Sequence, residues 1–399
     1  MKFDKGTVIF EEGPLTEAIR REVRIVIERI VNEELEVALG VGFYQRAEGR
    51  QGYRHGYESR QISTSLGKTT LSLPRGRLFA EAGSTIEWRG QILPRYQRRT
   101  KTVDDAILGL YLCGANTRRI MKALRPLLKG TPLSKSTISR LVGRLKEQFE
   151  AWQKRPLQDE IIAYFYLDGF GVTICAGGRV VRVPVLAAVG IKEDGEKVLL
   201  GLWLMGAEST NAWEGVLAEL DGRGLVRPQL VIIDGNQGLR AAVEAIWPKI
   251  EVQRCVVHKL RNLLAHAPKH TQEAIKEDYH AIIYAGNREE ALVAWSRFEK
   301  RWQKQCPGVV KSLLEAQTEL LTFFNYPKEQ WKSLRSTNII ERIYGEFRRR
   351  VKTQALLPSE EAVLVLLYGL FASGQIVMRR ISGWREMSPV VKKVLDRVA

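Results

Sequence analysis

The sequence predicts a multidomain α/β protein in which a mixed sheet is interrupted by an all-helical insertion and preceded by a smaller helical region. Three observations predict it. Two short apolar runs, Ile161 to Leu167 and Leu230 to Ile233, are rich in β-formers and each ends on Asp followed by Gly, the pattern of buried central strands. Strand-like and helical patterns alternate between residues 160 and 258. A helical stretch, 259 to 335, then separates Asp234 from a further acid, Glu341.

The elements follow in chain order. Over residues 15–39, Ile19, Val23, Val26, Ile30 and Leu35 recur at helical spacing, and Gly40 is the stop. That stripe either packs on its own domain or pairs with a second copy, since its spacing resembles a short heptad seam. Residues 52–75 read as a β-hairpin or small sheet around Gly67. Arg75, Arg77, Arg89, Arg95, Arg98, Arg99 and Lys101 follow, with Trp88 and Tyr96 among them. Arginines and aromatics mixed at this density suit an arm that tracks a phosphate backbone. Residues 104–112 and 117–124 are helical, the second ending near Pro126. A third helix opens at Ser134, with Ser136, Thr137, Ser139 and Arg140 expected outward in its first turns. This is the layout of a helix-turn-helix, whose polar N-terminus enters a DNA major groove.

The α/β part holds strand-like runs at roughly 161–167, 171–176, 180–191, 197–207, 229–234 and 251–257, the first two being one strand interrupted at Gly169. Helices are expected at 211–221, capped by Asn211 with Glu214 three residues on, and at 236–246. Three meander strands, then helix, strand, helix, strand, is the order of an RNase H-like domain. In that arrangement the first and fourth strands are neighbours, and Asp168 and Asp234 meet at one sheet edge, where open α/β sheets place their sites. Trp295, Phe298 and Trp302 form either a helical core stripe or a stacking surface for an extruded base. Residues 336–352 form a helix carrying Glu341 and the basic run Arg348-Arg349-Arg350, and 359–380 one more apolar helix. The expected division is 1–80, 81–156 (helix-turn-helix), 157–258 and 336–380 (the two parts of the RNase H-like core), 259–335 (insertion) and a tail, 381–399.

Composition points to a polyanion. The net charge is +17 and the pI near 9.7, a surplus that suits nucleic acid. No long apolar stretch and no signal-peptide pattern is present, so no membrane partner and a cytoplasmic location are expected. The four cysteines form no CxxC pair, in keeping with a reducing compartment.

Asp168, Asp234 and Glu341 in a basic protein suggest metal-bound phosphoryl chemistry on nucleic acid. Two metal ions roughly 4 Å apart activate the attacking oxygen and stabilise the leaving one. Magnesium or manganese prefers such hard oxygen ligands. Each acid also has a purely structural reading. Asp234 could cap the helix after it, Glu341 could close a capping box from Asn338, and Asp168-Gly169 could be a turn. Cys255 and His258 make half a zinc site with no second half. His258 either contacts phosphate or is a satisfied structural histidine.

The segments LPRYQRRTK (93 to 101), STISRL (136 to 141), YLDGF (166 to 170), IIDGNQGL (232 to 239), QRCVVHKLRN (253 to 262) and RSTNIIER (335 to 342) carry a resemblance. In this order they resemble the Mutator-family transposases of bacterial insertion sequences, over about residues 50 to 350. The resemblance implies that Asp168, Asp234 and Glu341 are the catalytic, metal-holding acids. It implies that Cys255 and His258 are a Cys-x-x-His signature beside them, and that the fold is RNase H-like with an all-helical insertion before the glutamate helix. It also implies a nucleoid-associated enzyme that binds the terminal inverted repeats as a homodimer. Such an enzyme cuts with two Mg2+ (or Mn2+) ions and joins the 3′-hydroxyl to target double-stranded DNA, with no small-molecule substrate. Two other readings stand beside it: a helix-turn-helix regulator with an inactive catalytic domain, and a host nuclease that cuts without joining.

Overall fold

A computed structural model describes residues 13–45, 47–128, 133–176, 179–205, 209–354 and 359–387. The expected tail lies outside them from residue 388 on, as do residues 1–12. Two compact units divide the chain at Arg144/Leu145, some dozen residues before the boundary the sequence suggests.

In the first unit, helix α1 (Pro14–Leu39) ends on Gly40, whose φ of 69° is left-handed and suits glycine. Strands β1 (Gly52–Thr64), β2 (Gly67–Phe79) and β3 (Thr85–Glu87) form an antiparallel sheet in that order, turning at Gly67. Val31 on α1 is buried with Ile62, Leu71, Leu73 and Leu93, and Ile27 packs against them. The expected stripe is therefore only partly the one used: Leu35 is buried, but Ile19, Val26 and Ile30 stay exposed. The helix has apolar residues on two faces, and only the hairpin selects between them. Helices α2 (Lys101–Leu112), α3 (Thr117–Leu128) and α4 (Lys135–Gln153) follow, with Val103, Ile107, Ile120, Leu124, Leu128, Ile138 and Leu141 in one core. Helix α3 does not stop at Pro126. A proline in the last turn forfeits one backbone hydrogen bond, and Leu128 is still drawn into the core.

The second unit is built on β4 (Ile162–Ala176), β5 (Arg179–Lys192), β6 (Lys197–Leu204), β7 (Leu230–Ile233) and β8 (Glu251–Arg254). Their order is β6-β5-β4-β7-β8; β4, β5 and β6 run antiparallel, whereas β7 is parallel to both β4 and β8. Strand β4 is not interrupted at Gly169, because β5 pairs with it along its whole length, Asp168 facing Ala187. Between these strands lie α5 (Thr210–Gly222) and α6 (Gln237–Ile246). Phe165, Leu167, Val231 and Ile233 form one face of the sheet and share a core with Trp213, Leu217, Leu239 and Val243 of those helices and with Trp247, which follows α6. Ser209, not Asn211, caps α5 by accepting the Ala212 N–H at 3.3 Å.

The chain turns helical earlier than its residue pattern suggests: β8 ends at Arg254 and α7 (Val256–Ala265) begins with Cys255 as its N-cap. Then come α8 (Gln272–Ile283), α9 (Arg288–Trp302), α10 (Pro307–Glu315), a 3-10 stretch over Gln317–Asn325, α11 (Trp331–Leu334), α12 (Asn338–Gln354) and α13 (Glu360–Ala372). Phe298 and Trp302 are buried in the core of this helical body, and the Trp302 indole donates to Asp278 at 2.8 Å. They are core residues with no face left for a base; Trp295 packs beside them, partly buried. No helix among the described residues is long and apolar enough to cross a membrane.

Candidate active site

The parallel register of β4 and β7 brings two of the acids together. Tyr166 is opposite Ile232, and Asp168 and Asp234 each lie two residues further on. In a strand, residues two apart share a face, and parallel neighbours run roughly 4.8 Å apart. Asp168 is not at the exit of its strand, as the sequence suggested, but in the middle of it. What exposes it to Asp234 is the end of β7 at Ile233 while β4 continues.

Asp168 is buried and accepts the Gly169 N–H at 2.8 Å. Loss of water and then the Asp234 carboxylate push its carboxyl up to about 7, against the opposing pull of His258 and the Thr337 side chain. Asp234 does not cap α6. It accepts the Asn236 N–H at 2.9 Å, and Asn236 is the cap, accepting the Leu239 N–H at 3.1 Å.

Cys255 and His258 stand one turn apart at the start of α7, fixed by the Cys255 N–H on the Ile233 carbonyl (2.8 Å) and the Val256 N–H on the Arg335 carbonyl (2.9 Å). The Cys255 side chain, the two Asp carboxylates adding, holds His258 up to about 9 despite its burial, so the imidazole is cationic near neutrality. Its Nδ1 is buried and has no hydrogen bond of good geometry among the described residues. Burial opposes ionisation of the Cys255 thiol, but His258 prevails and leaves it below the ordinary thiol range. Thr337 donates to that sulfur through both its N–H (3.4 Å) and its hydroxyl (3.5 Å).

Glu341 stands four positions into α12's numbering, too far along the helix for a capping box with Asn338. Its Oε1 lies 3.0 Å from Arg261 Nη1 and 3.7 Å from His258 Nε2. All three acids therefore surround His258. The donor chemistry fits a divalent cation: two close carboxylates, one of them deprived of water, repel each other until positive charge arrives. The shell is not preformed, since no three His, Cys, Asp or Glu side chains among the described residues converge as metal ligands. Glu341 is turned instead toward Arg261.

Several contributors carry no residue-level signal in isolation. Thr337 supports both Asp168 and Cys255. The Tyr344 hydroxyl donates to the Asp168 carbonyl at 2.8 Å, its ring stacked on Phe170. Arg261 holds Glu341. Thr337 and Arg261 lie inside the quoted motifs, and that is the signal that could have found them. Thr337→Val should remove the hydroxyl from a fully buried position, costing about 1–3 kcal/mol and raising the Asp168 pKa. Urea titration and carboxyl-carbon NMR of Asp168 would check it; an unchanged pKa would remove Thr337 from the site.

The remaining sequence-predicted residues divide. Ser136, Ser139 and Arg140 are exposed on α4, but Thr137 is buried and hydrogen-bonds Ser134, so it is not an outward residue. It lines a pocket together with Ser63, Arg98, Arg99 and Arg140. Arg98 and Lys101 are exposed without ion pairs among the described residues, whereas Arg95 pairs with Glu87 (3.0 Å) and Arg99 with Asp104 (2.8 Å). Arg348 is exposed; Arg349 and Arg350 both pair with Glu346 on their own helix.

A family model described as "Transposase, Mutator family" matches residues 9–376. The transposase for insertion sequence element ISRM5 of Rhizobium meliloti (strain 1021) is 32% identical over 354 residues, 89% of this chain and 87% of the relative. The transposase for insertion sequence element IS1201 of Lactobacillus helveticus is 28% identical over 358 residues, 89% of this chain and 94% of the relative. Among solved structures, a "Drosophila P element transposase strand transfer complex" aligns over 74% of this chain and 84% of that chain, at 11% identity and a TM-score of 0.29, too weak a superposition to bear on the fold. With its family match spanning nearly the whole sequence and relatives covered over most of their length, the chain belongs to the Mutator family of transposases.

Proposed function

We propose that this protein is a DNA transposase that cuts at the inverted-repeat ends of its element and joins the freed 3′-hydroxyl to target DNA. The observation that carries the proposal is the parallel register that sets Asp168 beside Asp234, with Glu341 reached through His258. The order β6-β5-β4-β7-β8, with β4 against β7, supports an RNase H-like core.

Asp168 and Asp234 would hold two Mg2+ or Mn2+ ions between them, and Glu341 would complete one shell after leaving Arg261. Bound there, the ions supply charge neutralisation and an activated oxygen nucleophile for phosphodiester cleavage. The chain's own residues do the rest. Thr337, Gly169 and Tyr344 fix Asp168. Cationic His258 and Arg261 lie against the acids and face the charge of a phosphate. The α2–α4 region acts as the end-binding helix-turn-helix, with Ser136, Ser139 and Arg140 toward bases and Arg98 and Lys101 toward phosphates. Homodimerisation through the exposed Ile19, Val26 and Ile30 of α1 would bring two ends together. A cytoplasmic protein acting at the nucleoid fits this reading.

Purified protein with end-containing duplex and Mg2+ or Mn2+ should nick the ends and join them to a second duplex. Ca2+ should permit binding with little or no cutting. Activity undiminished by a chelator would overturn the metal reading, and cutting without joining would reduce the protein to a nuclease.

A further inference from the structure

Beside Glu341 the second unit carries an open groove of about 730 Å3, contiguous with another of about 610 Å3 that shares Lys197, Ile339, Arg342 and Arg379. Its charge is one-sided. Lys197, Lys332, Arg335, Arg342, Arg379 and Arg380 line the larger part, where Glu341 is the only acid among the described residues; Glu346, paired with Arg349 and Arg350, lines the smaller part. Arg380 is paired with Asp194 at 2.8 Å, and Arg335 lies over the Tyr284 ring. Lys332, Arg342 and Arg379 are exposed and have no ion pair among the described residues.

The wall that brings these cations together is firmly attached. The Ile381 N–H donates to the Gly195 carbonyl at 3.0 Å and the Ser382 N–H to Ser333 Oγ at 3.2 Å. Lys197 donates to the Arg379 carbonyl. Burial, and then the nearby charge of Arg342, lower the Lys197 pKa. Positive charges are thus held near one another on three separate parts of the chain, a repulsive arrangement that a bound polyanion relieves.

We propose that this groove holds the phosphate backbone of the target duplex, presenting one phosphodiester to the acids. The proposal rests on the transposase reading above. Target rather than end is favoured by the lining: a groove dominated by lysine and arginine suits phosphate contacts, and phosphate contacts by themselves carry no sequence information, as a strand of arbitrary sequence requires. The surfaces suited to reading an end lie in the first unit.

The test is the double variant Lys332→Glu with Arg379→Glu in the full-length protein. Three readings are taken: nicking of end DNA, joining to a random duplex, and anisotropy of a labelled random duplex added to the protein–end complex. Joining and random-duplex binding should fall by at least about tenfold at moderate salt, and the log–log salt slope should shrink by roughly 0.9 per lost contact. Nicking should stay within about twofold of wild type, and the charge-preserving pair Lys332→Arg with Arg379→Lys should retain all three. Equal loss of nicking and joining would overturn the proposal by assigning the groove to the end. Unchanged random-duplex binding would overturn it outright. If the wild type neither nicks nor joins, the transposase reading fails, and the anisotropy arm still decides whether the groove binds DNA.

Discussion

Asp168→Asn and Asp234→Asn should each abolish DNA cutting, by about 10³-fold or more, while the protein stays folded. Each removes a charge that nothing else in the site replaces, equivalent to roughly 4 kcal/mol of transition-state stabilisation. Asp168→Asn should also change stability in a direction that separates chemistry from folding. A carboxyl raised from 3.8 to about 7 prefers its proton in the folded state. In metal-free protein it therefore gives full stability below about pH 4 and loses it as pH rises through 7, by at most about 4 kcal/mol. The neutral amide escapes that loss. Urea unfolding in chelator at pH 4 and pH 8 should show the variant more stable than wild type only at the higher pH. Equal stability at pH 8 would mean that Asp168 is neither as dry nor as crowded by Asp234 as its surroundings imply.

The second large effect is structural. Lys259 is buried and donates to Glu315 at 2.7 Å and to the Ser312 carbonyl at 2.8 Å, while Arg254, also buried, reaches Glu315 at 3.2 Å. One carboxylate thus serves two buried cations and ties α10 to β8 and α7. Glu315→Ala leaves Lys259 without a counter-charge among the described residues and Arg254 with only Glu319, 4.0 Å away, and should cost about 3–5 kcal/mol in urea unfolding. A loss under about 1 kcal/mol would show that water reaches the pair. The same variant should lower cutting, because Arg254 and Lys259 flank the segment that positions Cys255 and His258.

The sequence made the principal framework legible because the signals were local. The apolar runs before Asp168 and Asp234, the hairpin at Gly67 and the helical spacing of 259–335 each need only a window of residues. What it left out depends on which partners the fold selects, near in the chain or far from it. Asp168 reads as a strand end because Gly169 follows it, yet β5 supplies pairing partners straight through. Residues 251–257 look like one strand, but Cys255 caps a helix. Thr137 reads as polar and therefore outward, but it is buried and hydrogen-bonded to Ser134. Arg99 resembles its neighbours in a basic run, and only the fold shows Asp104 waiting for it. At the site, the proximity of Asp168 to Asp234 followed from strand order, whereas the hold of Arg261 on Glu341 crosses 80 residues and has no sequence signature.

The placement of Glu341 has a kinetic consequence. Asp168 and Asp234 can come into register once β4 and β7 pair, but Glu341 lies beyond the whole helical body, its helix docked by Tyr344 to the Asp168 carbonyl and the segment just before it by Val256 to Arg335. Closing so long a loop is slow relative to local helix formation. A chain emerging from the ribosome therefore passes through a stage in which two acids are in position and the third has not been synthesised. Under the proposed function, the three acids can act together only once α12 has docked, so a partly made chain holds an incomplete site.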